Sequence, residues 1–78
     1  VPMLSLRQIE TVRAVLLTGS ITGAARMMNV SAPSVSRMLR HAETLAGMAL
    51  FERTAHGLVP APEVLAMIDD LEAVHDGL

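Results

Sequence analysis

The chain of 78 residues has no cysteine, no tryptophan and no tyrosine, and Phe51 is its one aromatic side chain. Without cysteine there are no disulfides and no thiolate metal ligands. One ring against six methionines, in a composition that is half hydrophobic, makes the expected core aliphatic and filled in part by adaptable Met. Long hydrophobic runs are missing too. The longest, Leu45 to Phe51, is broken by Gly47 and falls far short of the about 20 apolar residues that span a bilayer. No basic-then-apolar leader of the kind that directs secretion stands at the start, so a cytoplasmic protein without membrane partners is the expectation. Catalytic signatures are equally scarce: there is no glycine-rich phosphate loop and no nucleophile elbow. His41, His56 and His75 lie 15 and 19 positions apart, which is no ligand spacing, and Glu72 with His75 is the one pair on a single helical turn. The chain is therefore read as no enzyme, without metal or cofactor.

What is present is unevenly distributed charge. The net charge of −2 conceals a basic body: residues 1 to 60 hold all six arginines against Glu10, Glu43 and Glu52, a net of +3. Residues 61 to 78 hold Glu63, Asp69, Asp70, Glu72 and Asp76, a net of −5. If the chain meets phosphates, it must do so with the first part and hold the acidic end away.

Local signals divide the chain clearly. Ser5 followed by Gln8 is a capping box, and Leu6, Ile9, Val12, Val15 and Leu16 then form an apolar stripe at helical spacing. Gly19 ends this first helix, near Thr18. Ser20 caps a second, with Ile21, Ala24, Ala25 and Met28 inward and Thr22 and Arg26 outward. Asn29 tolerates the left-handed conformation that stops a helix, and Ser31 with Pro33 starts the next one near Ala32. From there Val35, Met38, Leu39, Ala42, Leu45 and Ala46 make one apolar face. The opposite face carries Pro33, Arg37, Arg40 and Thr44, with Ser36 and His41 at its edges. Two helices joined by so short a turn, the second exposing hydroxyls and arginines, read as a helix-turn-helix. After Gly47, residues 48–51 are read as a short strand, 52–57 as a polar tip, and 58–60 as a second strand, together a two-stranded wing.

Pro62 suits the first position of a last helix, along which Val64, Met67, Ile68, Leu71, Val74 and Leu78 keep helical spacing. A domain this small buries only about 60% of its unfolded surface, so pairing this stripe with a second copy would add needed stability. Folding back on the chain's own core is the alternative.

These segments together resemble the N-terminal DNA-binding domain of LysR-type transcriptional regulators. The resemblance is carried by Leu6-Arg7-Gln8-Ile9-Glu10, Thr18-Gly19-Ser20-Ile21-Thr22, Ala24-Ala25, Val30-Ser31, Pro33-Ser34-Val35-Ser36-Arg37 and Leu50-Phe51-Glu52-Arg53-Thr54. It implies a mainly α, winged helix-turn-helix domain over residues 1–60, with a three-helix core and a two-stranded β wing. A long linker and dimerisation helix over 61–78 would follow. It also implies homodimers on dyad-symmetric promoter DNA, tetramers in the full-length protein, and a further domain, absent from this chain, that alone binds a small-molecule inducer.

Carried over by position, the resemblance places base contacts in the major groove on Ala32, Pro33, Ser36 and Arg37. Backbone and wing contacts fall on Thr22, Arg26, Ser31, Ser34, Arg40, Arg53, Thr54 and His56, and the dimer interface on Val64, Met67, Ile68, Leu71 and Val74. Ala32 stands where most members have Gln, leaving only a methyl for a thymine, and His56 stands where the wing tip commonly carries Arg. Arg37, in the middle of the exposed face, suits two bonds to guanine; a phosphate clamp is its alternative. Arg7 and Arg13 are read as surface charge. A winged-helix module that binds protein instead of DNA is the competing function, and it would favour aromatic side chains on this ridge over Arg and Ser.

Overall fold

Serine opens each of the first three helices. In a computed structural model, which describes residues 4–66, Ser5, Ser20 and Ser31 hold extended backbone and accept the amide of the residue three positions on, Gln8, Gly23 and Ser34. Each such cap contributes about 1 kcal/mol by satisfying an amide the helix cannot. The helices are α1 (Leu6–Thr18), α2 (Ile21–Met28) and α3 (Ala32–Ala46), and they end on left-handed Gly19, Asn29 and Gly47. Caps on both sides hold the α2–α3 turn to three residues. There the Val30 amide reaches back to Ala25 O at 3.0 Å while the Val30 side chain packs on the core.

The core lies where the three helices cross. Val12, Ala14 and Val15 of α1, Ala24 and Ala25 of α2, and Val35, Leu39 and Ala42 of α3 are buried together with Leu50, Phe51 and Val64. The alanines matter because a small side chain at the crossing lets the larger Val and Leu interdigitate at crystal-like density. The inward face of α1 differs from the expected stripe. Leu6 is 72% exposed, whereas Gln8 and Thr11 are buried. Their polar atoms are satisfied: Gln8 Oε1 accepts the Ser5 amide at 2.8 Å, Gln8 Nε2 meets His41 Nδ1 at 3.2 Å, and the Thr11 hydroxyl donates to Arg7 O at 2.8 Å. A buried polar group that keeps its bonds carries little penalty, so α1 can turn this side inward.

The wing is an antiparallel pair, β1 (Phe51–Thr54) and β2 (Gly57–Pro60), in the register Phe51 with Pro60 and Thr54 with Gly57. The first strand thus starts later than expected and takes in Glu52, Arg53 and Thr54, leaving only Ala55 and His56 as the tip. The preceding amides are already engaged at the end of α3. Gly47 and Met48 donate to Glu43 O, and Leu50 donates to the Glu43 carboxylate, so pairing begins at Phe51.

Gly57 has φ 101°, and a Cβ there would stand 2.7 Å from Gly19 O. That same carbonyl accepts the Leu58 amide at 3.0 Å, which fixes β2 to the end of α1.

Beyond the wing, 62–66 is helical, as Pro62 suggested. The Ala61 amide donates to Leu50 O at 3.0 Å, and Val64 falls into the core with no exposed surface. This corrects its assignment to a dimer interface: the anchored start of the helix turns Val64 toward its own domain. Met67, Ile68, Leu71 and Val74 lie outside the described residues. Among the described residues, no helix is long and apolar enough to cross a membrane.

Candidate nucleic-acid interface

Helix α3 buries Val35, Leu39 and Ala42 and thereby turns Pro33, Arg37 and Arg40 to solvent. Its first turn is tied together by hydroxyls. Ser31 Oγ accepts the Ser34 amide at 3.3 Å and lies 2.9 Å from Ser34 Oγ, and Arg37 Nη2 donates to Ser34 Oγ at 3.4 Å. The guanidinium is thus drawn toward the N-terminal end of α3, the end whose amides and dipole favour anions. Ala32 sits half-buried and packs in part on the core, so little of its methyl is left for a base.

A cleft separates α3 from the wing. Ile21, Leu39, Phe51 and Leu58 supply its apolar lining, and Ser36, Arg40, Glu43 and Arg53 its polar groups. Residues distant in the chain, Ser36 and Arg40 on one wall and Arg53 on the other, therefore share one groove. Two cations and a hydroxyl facing a cleft suit a polyanion chain lying between helix and wing. Thr22 and Arg26 stand exposed on α2, which packs beside α3, and His56 is exposed at the wing tip.

Thr54 differs from its expected role. Its hydroxyl donates to Gly57 O at 3.0 Å and accepts the His56 amide at 3.1 Å, so its one donor holds the turn and is not offered to a ligand. Arg7 pairs with Glu10 at 3.9 Å on the outer side of α1; such an exposed pair contributes only about 0–1 kcal/mol. Among the described residues, no three His, Cys, Asp or Glu side chains gather as a metal site. Glu72 and His75 lie outside the described residues.

Sequence reasoning missed two connections. His41, placed at the edge of the ridge, is the partner of the buried Gln8 amide, and because Gln8 Oε1 already accepts Ser5, the Gln8 amide nitrogen donates and His41 Nδ1 accepts. Glu43, counted only as charge, bonds Leu50 across the α3–β1 turn. An acid one turn before a helix-ending glycine was the available signal for the second. Nothing local announced the first.

Residues 6–65 match the model of the family described as bacterial regulatory helix-turn-helix protein, lysR family. The chain is 43% identical over 70 residues to the HTH-type transcriptional regulator DgcR of Pseudoalteromonas sp, covering 90% of this chain and 24% of that one. It is 36% identical over 75 residues to the octopine catabolism/uptake operon regulatory protein OccR of Rhizobium meliloti, covering 96% and 25%. Its fold is similar to that in the crystal structure of a CbnR DBD-DNA complex, with TM-score 0.82 and 26% identity over 94% of this chain and 84% of that one. The chain spans about a quarter of the length of these two regulators.

Proposed function

Since the chain belongs to the lysR family of bacterial regulatory helix-turn-helix proteins, we propose that it is the part of a transcriptional regulator that binds double-stranded promoter DNA. The observation that carries the reading is the cleft in which Ser36 and Arg40 of α3 face Arg53 of the wing, beside the Arg37 ridge. Helix α3 lies in the major groove, with Ser36 and Arg37 at base edges and Pro33 close to them. Arg26, Arg40 and Arg53 grip phosphates, Thr22, Ser31 and Ser34 adding weaker polar contacts, and His56 reaches the adjacent minor groove.

Residues 1–60 act as the DNA-binding unit and 61–78 as the helix that joins two copies, so that two recognition helices meet a dyad-symmetric site. The acidic charge of residues 61–78 repels phosphates, so the basic residues of 1–60 are the part that meets DNA. The protein works in the cytoplasm as a regulator without catalysis, and the inducer site belongs to the part of the regulator beyond this chain. An Arg and Ser ridge without an aromatic side chain does not suit a protein-interaction module.

The test is the salt dependence of binding to duplex DNA. Three phosphates per protomer give about six per dimer, and a log-log slope of about −5. Raising salt fourfold then weakens binding by about 10³-fold. A slope near zero would overturn the proposal.

A further inference from the structure

Glu43 is the one side chain that connects the recognition helix to the start of the wing by a hydrogen bond among the described residues. Its carboxylate Oε2 accepts the Leu50 amide at 2.8 Å, and its backbone carbonyl accepts Gly47 at 2.9 Å and Met48 at 3.3 Å. Leu50, only 1% exposed, immediately precedes β1, and its own carbonyl accepts the Ala61 amide that follows β2. Both ends of the hairpin therefore meet at Leu50, and Leu50 is held by Glu43. The same Glu43 lines the cleft with Ser36, Arg40 and Arg53.

A carboxylate beside two phosphate-binding arginines opposes DNA by its charge, which makes its presence there unexpected for a DNA surface. The hydrogen bond explains it. We infer that Glu43 is a positioning residue for the wing: by accepting the Leu50 amide it sets the distance between Arg53 and the Ser36 and Arg40 wall of the cleft, and acceptance, not charge, is what it contributes to binding. The inference rests on the DNA-binding reading.

Charge and acceptance are separable. Glu43→Gln keeps an oxygen that can accept Leu50 and removes the charge. Glu43→Asp keeps the charge and falls one methylene short of the amide. Glu43→Ala removes both. The readouts are the salt slope of the 78-residue chain on one duplex of fixed sequence and the hydrogen exchange of the Leu50 amide without DNA.

With the brace lost, Arg53 no longer meets its phosphate, and the dimer goes from about six contacts to about four. Over a fourfold rise in salt, the weakening drops from about 10³-fold in the parent to about 10²-fold in Glu43→Asp and Glu43→Ala. Glu43→Gln keeps the parent slope and binds a few-fold tighter. Arg53→Ala matches Glu43→Asp, and combining the two changes the slope no further. The Leu50 amide exchanges at least about tenfold faster in Glu43→Asp and is unchanged in Glu43→Gln.

A parent slope retained by Glu43→Asp, a slope in the double variant lower than in either single one, or a Glu43→Gln chain that behaves like Glu43→Asp overturns the inference. A merely structural role would lower stability without moving the slope of the folded fraction. If the parent itself shows no slope, the DNA reading fails, while the Leu50 exchange still decides whether Glu43 braces the wing.

Discussion

Replacing Gly57 by alanine should damage this domain more than any other glycine-to-alanine change at a left-handed position. Two costs coincide there. The backbone holds φ 101°, where a Cβ is strained by about 1–3 kcal/mol, and that Cβ would stand 2.7 Å from the Gly19 carbonyl oxygen. Relief requires the wing to move off α1, which breaks the 3.0 Å bond from the Leu58 amide to the same oxygen and removes about 0.5–1.5 kcal/mol. Together the loss is about 2–4 kcal/mol, and for a domain of this size each kcal/mol lowers Tm by about 4–8 °C.

The expected drop is therefore about 10–30 °C, read by far-ultraviolet circular dichroism at one protein concentration. Gly47→Ala is the internal standard, because Gly47 shares the left-handed backbone at φ 73° but has nothing within 4 Å of its would-be Cβ. It should lose only about 1–2 kcal/mol. If Gly57→Ala melts within a few degrees of Gly47→Ala, the contact between β2 and the end of α1 contributes nothing, and the reasoning is refuted.

Three further outcomes test the site. Arg37→Ala should cost about 1–3 kcal/mol of binding and relax preference at a single base pair; equal loss on every competitor duplex would reduce Arg37 to a phosphate clamp. Ser31→Ala removes the cap of α3 and should lower stability by about 1 kcal/mol, whereas Ser31→Asp keeps the cap and the melting temperature but weakens DNA binding several-fold through its charge. A tight complex with Ser31→Asp would place Ser31 away from DNA. His56→Arg, a permanent cation at the exposed wing tip, should steepen the salt slope by about 0.9 per protomer, and an unchanged slope would remove the tip from the interface.

Local chemistry was readable where it is complete within a few residues. Three serine caps, three left-handed stops and the alternation of small and large apolar residues define α1, α2 and α3 without reference to anything distant. The outward ridge of α3 follows from them, since burying Val35, Leu39 and Ala42 leaves Arg37 and Arg40 no other side. Where reading failed, a distant partner had changed the outcome. Gln8 turns inward at the expense of Leu6 because His41, 33 positions away, completes its hydrogen bonds. The wing starts at Phe51 because Glu43 already holds the amide of Leu50, and Val64 leaves the expected dimer stripe because Ala61 is fixed to Leu50. The arginine pair across the cleft is legible only once helix and hairpin are placed side by side.

The wing is fastened by main-chain bonds at both ends of the hairpin, Ala61 to Leu50 at its base and Leu58 to Gly19 just behind the tip. Ala55 and His56 carry none of that attachment, and both are exposed. The tip is thus an interchangeable reading head on a fixed mount. Its two side chains can be exchanged, by drift or by an engineer seeking a new target site, while the melting temperature stays where the mount sets it.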